Sequence, residues 1–306
     1  MVGHKNATFI GLVAILLWSS IVGLIRSVSE IFGATGGAAL IYSVASVFLL
    51  MSFGLPNVRK YPKGYLYSGS VLFISYELCL ALSIGYAQTN QQAIEVSMVN
   101  YLWPALTIVG AIFLNKQKAN FWLLSFGMML AFWGIGLVLS GNNGLDIATI
   151  IANTQDNTLS YGLALSGAFI WAIYCNITNK MANGTNGVTL FFILTACSLW
   201  AKYLFTDSQP MDFEPYSVLL LLLASAAMAF GYAAWNIGIL HGNITLLSGA
   251  SYFIPVLSAM LAAVVLHTPL SAYFWKGAFI VCLGSILCWL ATRKRQEETA
   301  TEVAEG

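Results

Sequence analysis

A proline motif that occurs twice constrains this chain more than any other feature. Tyr101-Leu102-Trp103-Pro104-Ala105-Leu106-Thr107 is matched, 151 residues further on, by Tyr252-Phe253-Ile254-Pro255-Val256-Leu257-Ser258. Each copy lies inside a long apolar segment. A second marker follows each: Gly127 and Gly134 return as Gly277 and Gly284, 150 residues on. Two markers that keep register within one residue describe a duplicated unit of about half the chain. In membrane proteins, apolar helices interrupted at corresponding places in two repeats point to a binding site where the repeats meet.

Composition decides the solvent. Of the 306 residues, 58% are hydrophobic and 8% charged, and the mean hydropathy is +0.78, which excludes a water-soluble domain of this length. Charged residues fall in short gaps between apolar stretches long enough to cross a hydrocarbon core of about 30 Å. Ten membrane spans are expected, at residues 7–26, 33–54, 64–86, 89–114, 119–140, 158–181, 186–205, 215–240, 243–267 and 271–292. The fourth and ninth contain Pro104 and Pro255, each of which removes a backbone donor in mid-helix. The first run has only Lys5 before it and no small-residue cleavage site after it, so it reads as a retained helix rather than a signal peptide.

Charge placement suggests the orientation. With the N-terminus cytoplasmic, ten of the thirteen Lys and Arg residues are inside: Lys5, Arg59, Lys60, Lys63, Lys116, Lys118, Lys180, Arg293, Lys294 and Arg295. Arg26, Lys202 and Lys276 are left outside, an asymmetry that places both termini in the cytoplasm. The outer loops hold Glu30, Asp146, Asp156, Asp207, Asp212 and Glu214. Five spans per repeat is an odd number, so consecutive copies enter the membrane from opposite sides and are related by an axis in its plane. The expected organisation is all-α: a first five-helix repeat at 1–141, an outer connecting loop at 142–157, a second repeat at 158–292, and a charged cytoplasmic tail at 293–306. The lipid bilayer is the expected partner. The net charge of +1 gives no sign of nucleic acid, and no partner protein is implied.

Enzyme readings find little support. There is no HExxH zinc signature, and all four aspartates lie in expected loops, which argues against a paired-aspartate intramembrane protease. Gly249-Ala250-Ser251-Tyr252 has a faint serine-protease look, but a Gly-x-Ser triplet with His241 near the end of another span has poor specificity. No phosphate loop is present, which argues against an ATP-driven pump. Cys79, Cys175, Cys197, Cys282 and Cys288 all fall within expected spans without metal-ligand spacing, and read as small apolar packing residues. No cofactor and no metal are expected.

The candidate site follows from the prolines. Pro104 leaves the carbonyl of Asn100 without its i+4 donor, and Pro255 does the same for Ser251. Deep in a membrane such carbonyls need a polar partner or a cavity, and an ammonium group is a suitable partner. The competing reading is that the prolines only kink their helices. Trp18, Trp103 and Trp171 lie near mid-span, with Tyr76, Tyr101, Tyr174, Tyr232 and Tyr252 as polar-tipped rings at similar depth. Such a wall suits a flat apolar or cationic solute through ring packing and cation–π contact, against the simpler reading of helix packing. Trp122, Trp200, Trp275 and Trp289 read as interfacial anchors instead. Glu77 and Glu95 are the acids furthest from the ends of their spans, able to bind an ammonium, attract a cationic drug or carry a coupling proton, or else serve as structural carboxylates. The position matching Glu95 in the second repeat is Leu246, so any step that needs that acid is asymmetric.

The doubled proline segments and ten-span plan resemble the drug/metabolite transporter superfamily, in the group with two EamA-type repeats. The resemblance extends through Gly23-Leu24-Ile25-Arg26, Gly36-Gly37-Ala38-Ala39, Gln92-Ala93-Ile94-Glu95-Val96, Val99-Asn100-Tyr101-Leu102-Trp103-Pro104, the segment from Ala234 to Asn243, and Cys288-Trp289-Leu290-Ala291-Thr292-Arg293. These segments are similar to the bacterial aromatic amino acid exporters of that group. The resemblance implies secondary transport of phenylalanine, tyrosine and tryptophan outward across the inner membrane by alternating access. Efflux of hydrophobic cations such as methyl viologen is the alternative within transport, and a membrane receptor or enzyme the disfavoured one outside it. For an aromatic amino acid, the tryptophans and tyrosines would hold the ring. The carbonyls of Asn100 and Ser251, or Glu95, would receive the ammonium, and backbone donors or Asn236 the carboxylate.

Overall fold

The computed structural model describes residues 4–141, 144–205, 211 and 213–305. Asp207 and Asp212, assigned above to an outer loop, lie outside the described residues. In chain order the helices are α1 His4–Phe32, α2 Ala34–Phe53, α3 Lys63–Gly85, α4 Asn90–Asn100, α5 Trp103–Asn115, α6 Phe121–Leu139, α7 Ile147–Asp156, α8 Thr158–Met181, α9 Val188–Leu204, α10 Pro215–His241, α11 Ile244–Ser251, α12 Ile254–Val265 and α13 Ala272–Glu305. Among the described residues there is no strand.

Among the described residues, eight helical segments are long and apolar enough to cross a membrane: Lys5–Phe32, Ala34–Phe53, Lys63–Gly85, Asn90–Asn115, Phe121–Leu139, Thr158–Thr178, Pro215–Gly238 and Ala272–Thr292. Two shorter apolar helices, Val188–Leu204 and Ile254–Val265, fall in the remaining two of the ten expected spans. Their outward faces are apolar. Trp122 is 81% exposed, and Phe113, Phe126 and Phe132 also point outward, an arrangement suited to lipid and costly in water.

Two departures from the expected boundaries have local causes. The first helix continues past Arg26 to Phe32, because Arg26 finds enough partners to be buried. It donates to the Ala87 carbonyl at 2.6 Å and to Asn90 Oδ1 at 3.0 Å, and pairs with Glu30 at 2.9 Å. Gly33, at φ 75°, then turns the chain directly into α2, a conformation open to glycine at little cost. Within 142–157 the chain forms α7, begun by Asp146, whose side chain accepts from the N–H groups of Ala148 and Thr149. The Thr149 hydroxyl also donates to that carboxylate and holds it below its usual range.

The proline segments break as their sequence requires. α4 ends at Asn100 and α5 starts at Trp103 with Pro104 in its first turn; α11 ends at Ser251 and α12 starts at Ile254 with Pro255 in its first turn. Proline is tolerated there because first-turn N–H groups have no intrahelical acceptor. Side-chain caps begin the helices around these breaks. Thr89 caps α4 and Asn243 caps α11, while Asn120 caps α6 and the Ser271 hydroxyl accepts from Phe274 N–H at the start of α13.

Helix packing comes in matched pairs. α1 lies on α10 as α8 lies on α3, α1 lies on α12 as α8 lies on α5, and α2 lies on α10 as α9 lies on α3. α6 packs along α13, where the repeated glycines cross over: a Cβ on Gly127 would come within 2.8 Å of the Gly284 carbonyl oxygen, and one on Gly134 within 2.7 Å of that of Gly277. The reverse distances are 2.7 Å from Gly284 to the Gly127 oxygen and 2.5 Å from Gly277 to that of Gly134. Only glycine permits so close a backbone approach. The matching is incomplete: α1 packs on α2, α3 packs on both, and α5 packs on α13, with no comparable packing of α8 on α9, of α10 on either, or of α12 on α6 among the described residues. A further difference lies at the breaks. α4 packs on α1, α12 and α6, whereas its counterpart α11 packs on α1 and α10 with no comparable packing on α8, α5 or α13 among the described residues.

Candidate functional site

A cavity of about 320 Å³ opens where the two proline breaks face each other. Asn100, Tyr101 and Trp103 reach it from the first break, and Ser251 and Ile254 from the second. α1 contributes Trp18, Ile21 and Val22; α3 contributes Tyr76, Glu77 and Leu80. α8 adds Trp171 and Cys175, and α10 adds Met228, Tyr232 and Trp235.

Two aromatic walls result. On one, Trp18 packs edge-on to Tyr232 with ring centroids 5.3 Å apart and lies 5.2 Å from Trp235. Gly231 makes this possible, since a Cβ there would meet the Trp18 ring at 2.7 Å. On the other wall Trp171 is held between two tyrosines, 4.3 Å from Tyr76 and 4.8 Å from Tyr174, with Trp103 edge-on at 6.4 Å. Offset and edge-on aromatic pairs of this kind fix ring orientation beyond what burial alone does.

Glu77 is fully buried at the cavity wall. Tyr42 donates to Oε2 at 2.5 Å and Tyr232 to Oε1 at 2.9 Å. The carboxylate therefore ties α2, α3 and α10 together, and each oxygen has one hydrogen bond from a neutral donor. Asn100 is 3% exposed; its Nδ2 donates to the Tyr76 hydroxyl at 3.4 Å, and its Oδ1 has no hydrogen-bond partner. Its backbone carbonyl, opposite Pro104, lacks the usual i+4 donor.

Of the residues singled out in the sequence, Trp18, Tyr76, Glu77, Asn100, Tyr101, Trp103, Trp171, Tyr232 and Ser251 meet at this cavity. Four others are elsewhere. Glu95 is buried between α4 and α8, taking hydrogen bonds from Gln91 at 2.8 Å and Tyr161 at 2.9 Å. Tyr174 stands behind Trp171. Tyr252 packs toward Trp289 of α13 at 6.1 Å, because the helix break after Ser251 turns adjacent side chains to different sides. Asn236 is half-buried on α10 and outside the cavity wall, one position beyond Trp235, which lines it. Trp200, read as an anchor, instead donates its indole N–H to Ser43 at 2.9 Å and joins α9 to α2.

Trp235, Met228 and Cys175 were missed. Helical spacing carried the signal for the first two, since Met228, Tyr232 and Trp235 follow at i, i+4 and i+7 on one face of α10. A second, more polar cavity of about 740 Å³ adjoins the first through Cys175, and is lined by Thr107, Asn115, Lys116, Asn176 and Lys180. Asn176 closes part of their boundary, donating to the Thr107 carbonyl at 3.1 Å and accepting from Asn115 at 2.8 Å. All five cysteines are free thiols. Among the described residues no group of three His, Cys, Asp or Glu side chains could hold a metal ion.

Comparison with known proteins gives a consistent family. Residues 158–290 match the EamA-like transporter family. Proteins named aromatic amino acid exporter YddG, from Salmonella typhimurium and Escherichia coli, are each 56% identical over 95% of this chain and 99% of their own. A third of that name, from Ancylobacter novellus, is 26% identical over 95% of this chain and 99% of its own. One solved crystal structure superposes with a TM-score of 0.67 over 95% of this chain and 99% of its own, at 21% identity, which is a likeness of fold alone.

Proposed function

The chain belongs to the EamA-like transporter family, and from that premise we propose that it exports aromatic amino acids across the bacterial inner membrane by alternating access. It is a transporter-family protein rather than an enzyme. The observation that carries the substrate reading is the cavity itself, enclosed by two aromatic walls and reached by both broken helices, with acceptor groups where an ammonium can bind. A ring of phenylalanine, tyrosine or tryptophan fits between the walls, with Asn100 and the Ser251 end of α11 on the two sides and Glu77 behind.

The matched helix contacts support ten spans in two inverted repeats, since exchanging α1–α6 for α8–α13 carries each contact of a pair onto the other. The crossed glycines follow the same exchange. Ten of thirteen basic residues on one side support cytoplasmic termini. The extra packing of α4 on α1, α12 and α6, together with the Arg26 bonds to Ala87 and Asn90 and a bond of 3.4 Å from Asn90 Nδ2 to the Leu266 carbonyl, supports a state closed toward the outside. The polar cavity beside Lys116 and Lys180 is then the cytoplasmic entrance.

Purified protein in liposomes should carry labelled phenylalanine down its gradient faster than protein-free liposomes. Flux no greater than that control would contradict the reading. Efflux of hydrophobic cations is the second reading, favoured by the aromatic walls; for that reading methyl viologen rather than phenylalanine would be the solute carried.

A further inference from the structure

The charge of the cavity wall is one-sided. Of the residues that line it, Glu77 is the only acid, and none is Lys, Arg or His among the described residues. Its two hydrogen bonds come from the phenols of Tyr42 and Tyr232, which satisfy the oxygens and bring no positive charge. Asn100, also on the wall, has a buried Oδ1 without a partner, close to Gly167 of α8, and its backbone carbonyl lacks its helical donor. A buried acceptor left unpaired is costly until a ligand donates to it. A zwitterion brings both a matching and a mismatching group to such a wall. Its ammonium offers three donors and a positive charge beside Glu77. Its carboxylate meets a second acid and, at most, neutral indole or hydroxyl donors, which compensate poorly for the loss of water around an anion.

We infer that this cavity selects its cargo by an aromatic ring and an N–H-bearing ammonium group and does not read the carboxylate, so that aromatic primary amines and aromatic amino acid amides are ligands of the same site. The inference rests on the reading of this cavity as the transport site and narrows its chemistry: the carboxylate of an amino acid stays on the open, hydrated side toward the neighbouring polar cavity. It also separates this site from one built for quaternary cations, which have no N–H to give to the free Asn100 carbonyl.

Calorimetric titration of the purified full-length chain with phenethylamine, phenylalaninamide, phenylalanine and 3-phenylpropionate tests this directly. The two amines are expected to bind at least as tightly as phenylalanine, and 3-phenylpropionate at least tenfold more weakly than phenethylamine. In Glu77→Gln the gap between phenethylamine and 3-phenylpropionate should shrink several-fold. The inference is overturned if phenylalanine binds and neither amine does, or if 3-phenylpropionate binds as tightly as phenethylamine in the unmodified chain, a comparison that needs no variant to fold. Liposome flux of labelled phenylalanine, measured alongside, keeps the two questions apart: amine binding without phenylalanine flux upholds the chemistry of the site and removes the exporter reading.

Discussion

The surroundings of Glu77 and of Glu95 offer the most useful contrast in this molecule. Both are buried carboxylates on neighbouring helices, and both accept a hydrogen bond from a tyrosine on a distant part of the chain. Glu95 draws its partners from its own helix and from α8, through Gln91 and Tyr161, and does not line the aromatic cavity. Glu77 draws both partners from other helices, one in each half of the chain, and stands at the wall of the aromatic cavity. A buried acid therefore has no fixed meaning: both bridge the two halves of the chain, but Glu95 does so between packed helices, while Glu77 does so at the wall of the cavity where a solute would lie.

The largest effect is expected from Glu77→Leu. It leaves the Tyr42 and Tyr232 hydroxyls buried without an acceptor, at about 1–3 kcal/mol each, and removes the only acid from the wall. Phenylalanine flux per inserted molecule should fall at least about tenfold, equivalent to about 1.4 kcal/mol. Near-normal flux in a variant that inserts would show that Glu77 is as structural as Glu95. The smallest effect is expected from Glu95→Gln, which retains the shape and an acceptor for Gln91 or Tyr161. Flux should change by less than about threefold, under 0.7 kcal/mol, with the same response to an imposed proton gradient. A loss as large as that at Glu77, or the disappearance of gradient-driven accumulation, would reverse the contrast and place Glu95 in the transport step.

The same contrast marks what could be read in the chain before its structure. The doubled proline motif located both helix breaks, at Tyr101–Leu102 and Tyr252–Phe253, because the missing proline donor acts locally whatever surrounds it. Trp18, Trp103 and Trp171, expected near mid-span, all line the cavity. What escaped depended on azimuth or on distant partners. Asn236 was chosen for its polarity, yet one residue is about 100° of rotation on a helix of 3.6 residues per turn, and it is Trp235 that lines the wall. Glu77 and Glu95 share residue type and similar depth; only the arrival of Tyr232 from α10 and Tyr161 from α8 distinguishes them. α7 was legible in part, with Ile147, Ile150 and Ile151 at helical spacing after Asp146, but lies in a stretch too short and polar to register as a span.

The central claim is that the solute occupies the cavity between the halves, and Cys175 on its wall can report this. In a chain with Cys79, Cys197, Cys282 and Cys288 replaced by alanine, the rate at which a membrane-permeant maleimide modifies Cys175 is measured with and without phenylalanine. Occupancy of the cavity predicts that phenylalanine at ten times its Kd slows modification about tenfold, while 3-phenylpropionate at the same concentration gives little protection. An unchanged rate in protein that still carries phenylalanine would contradict the account, since the solute would then cross by a route that does not pass the Trp18 and Trp171 walls.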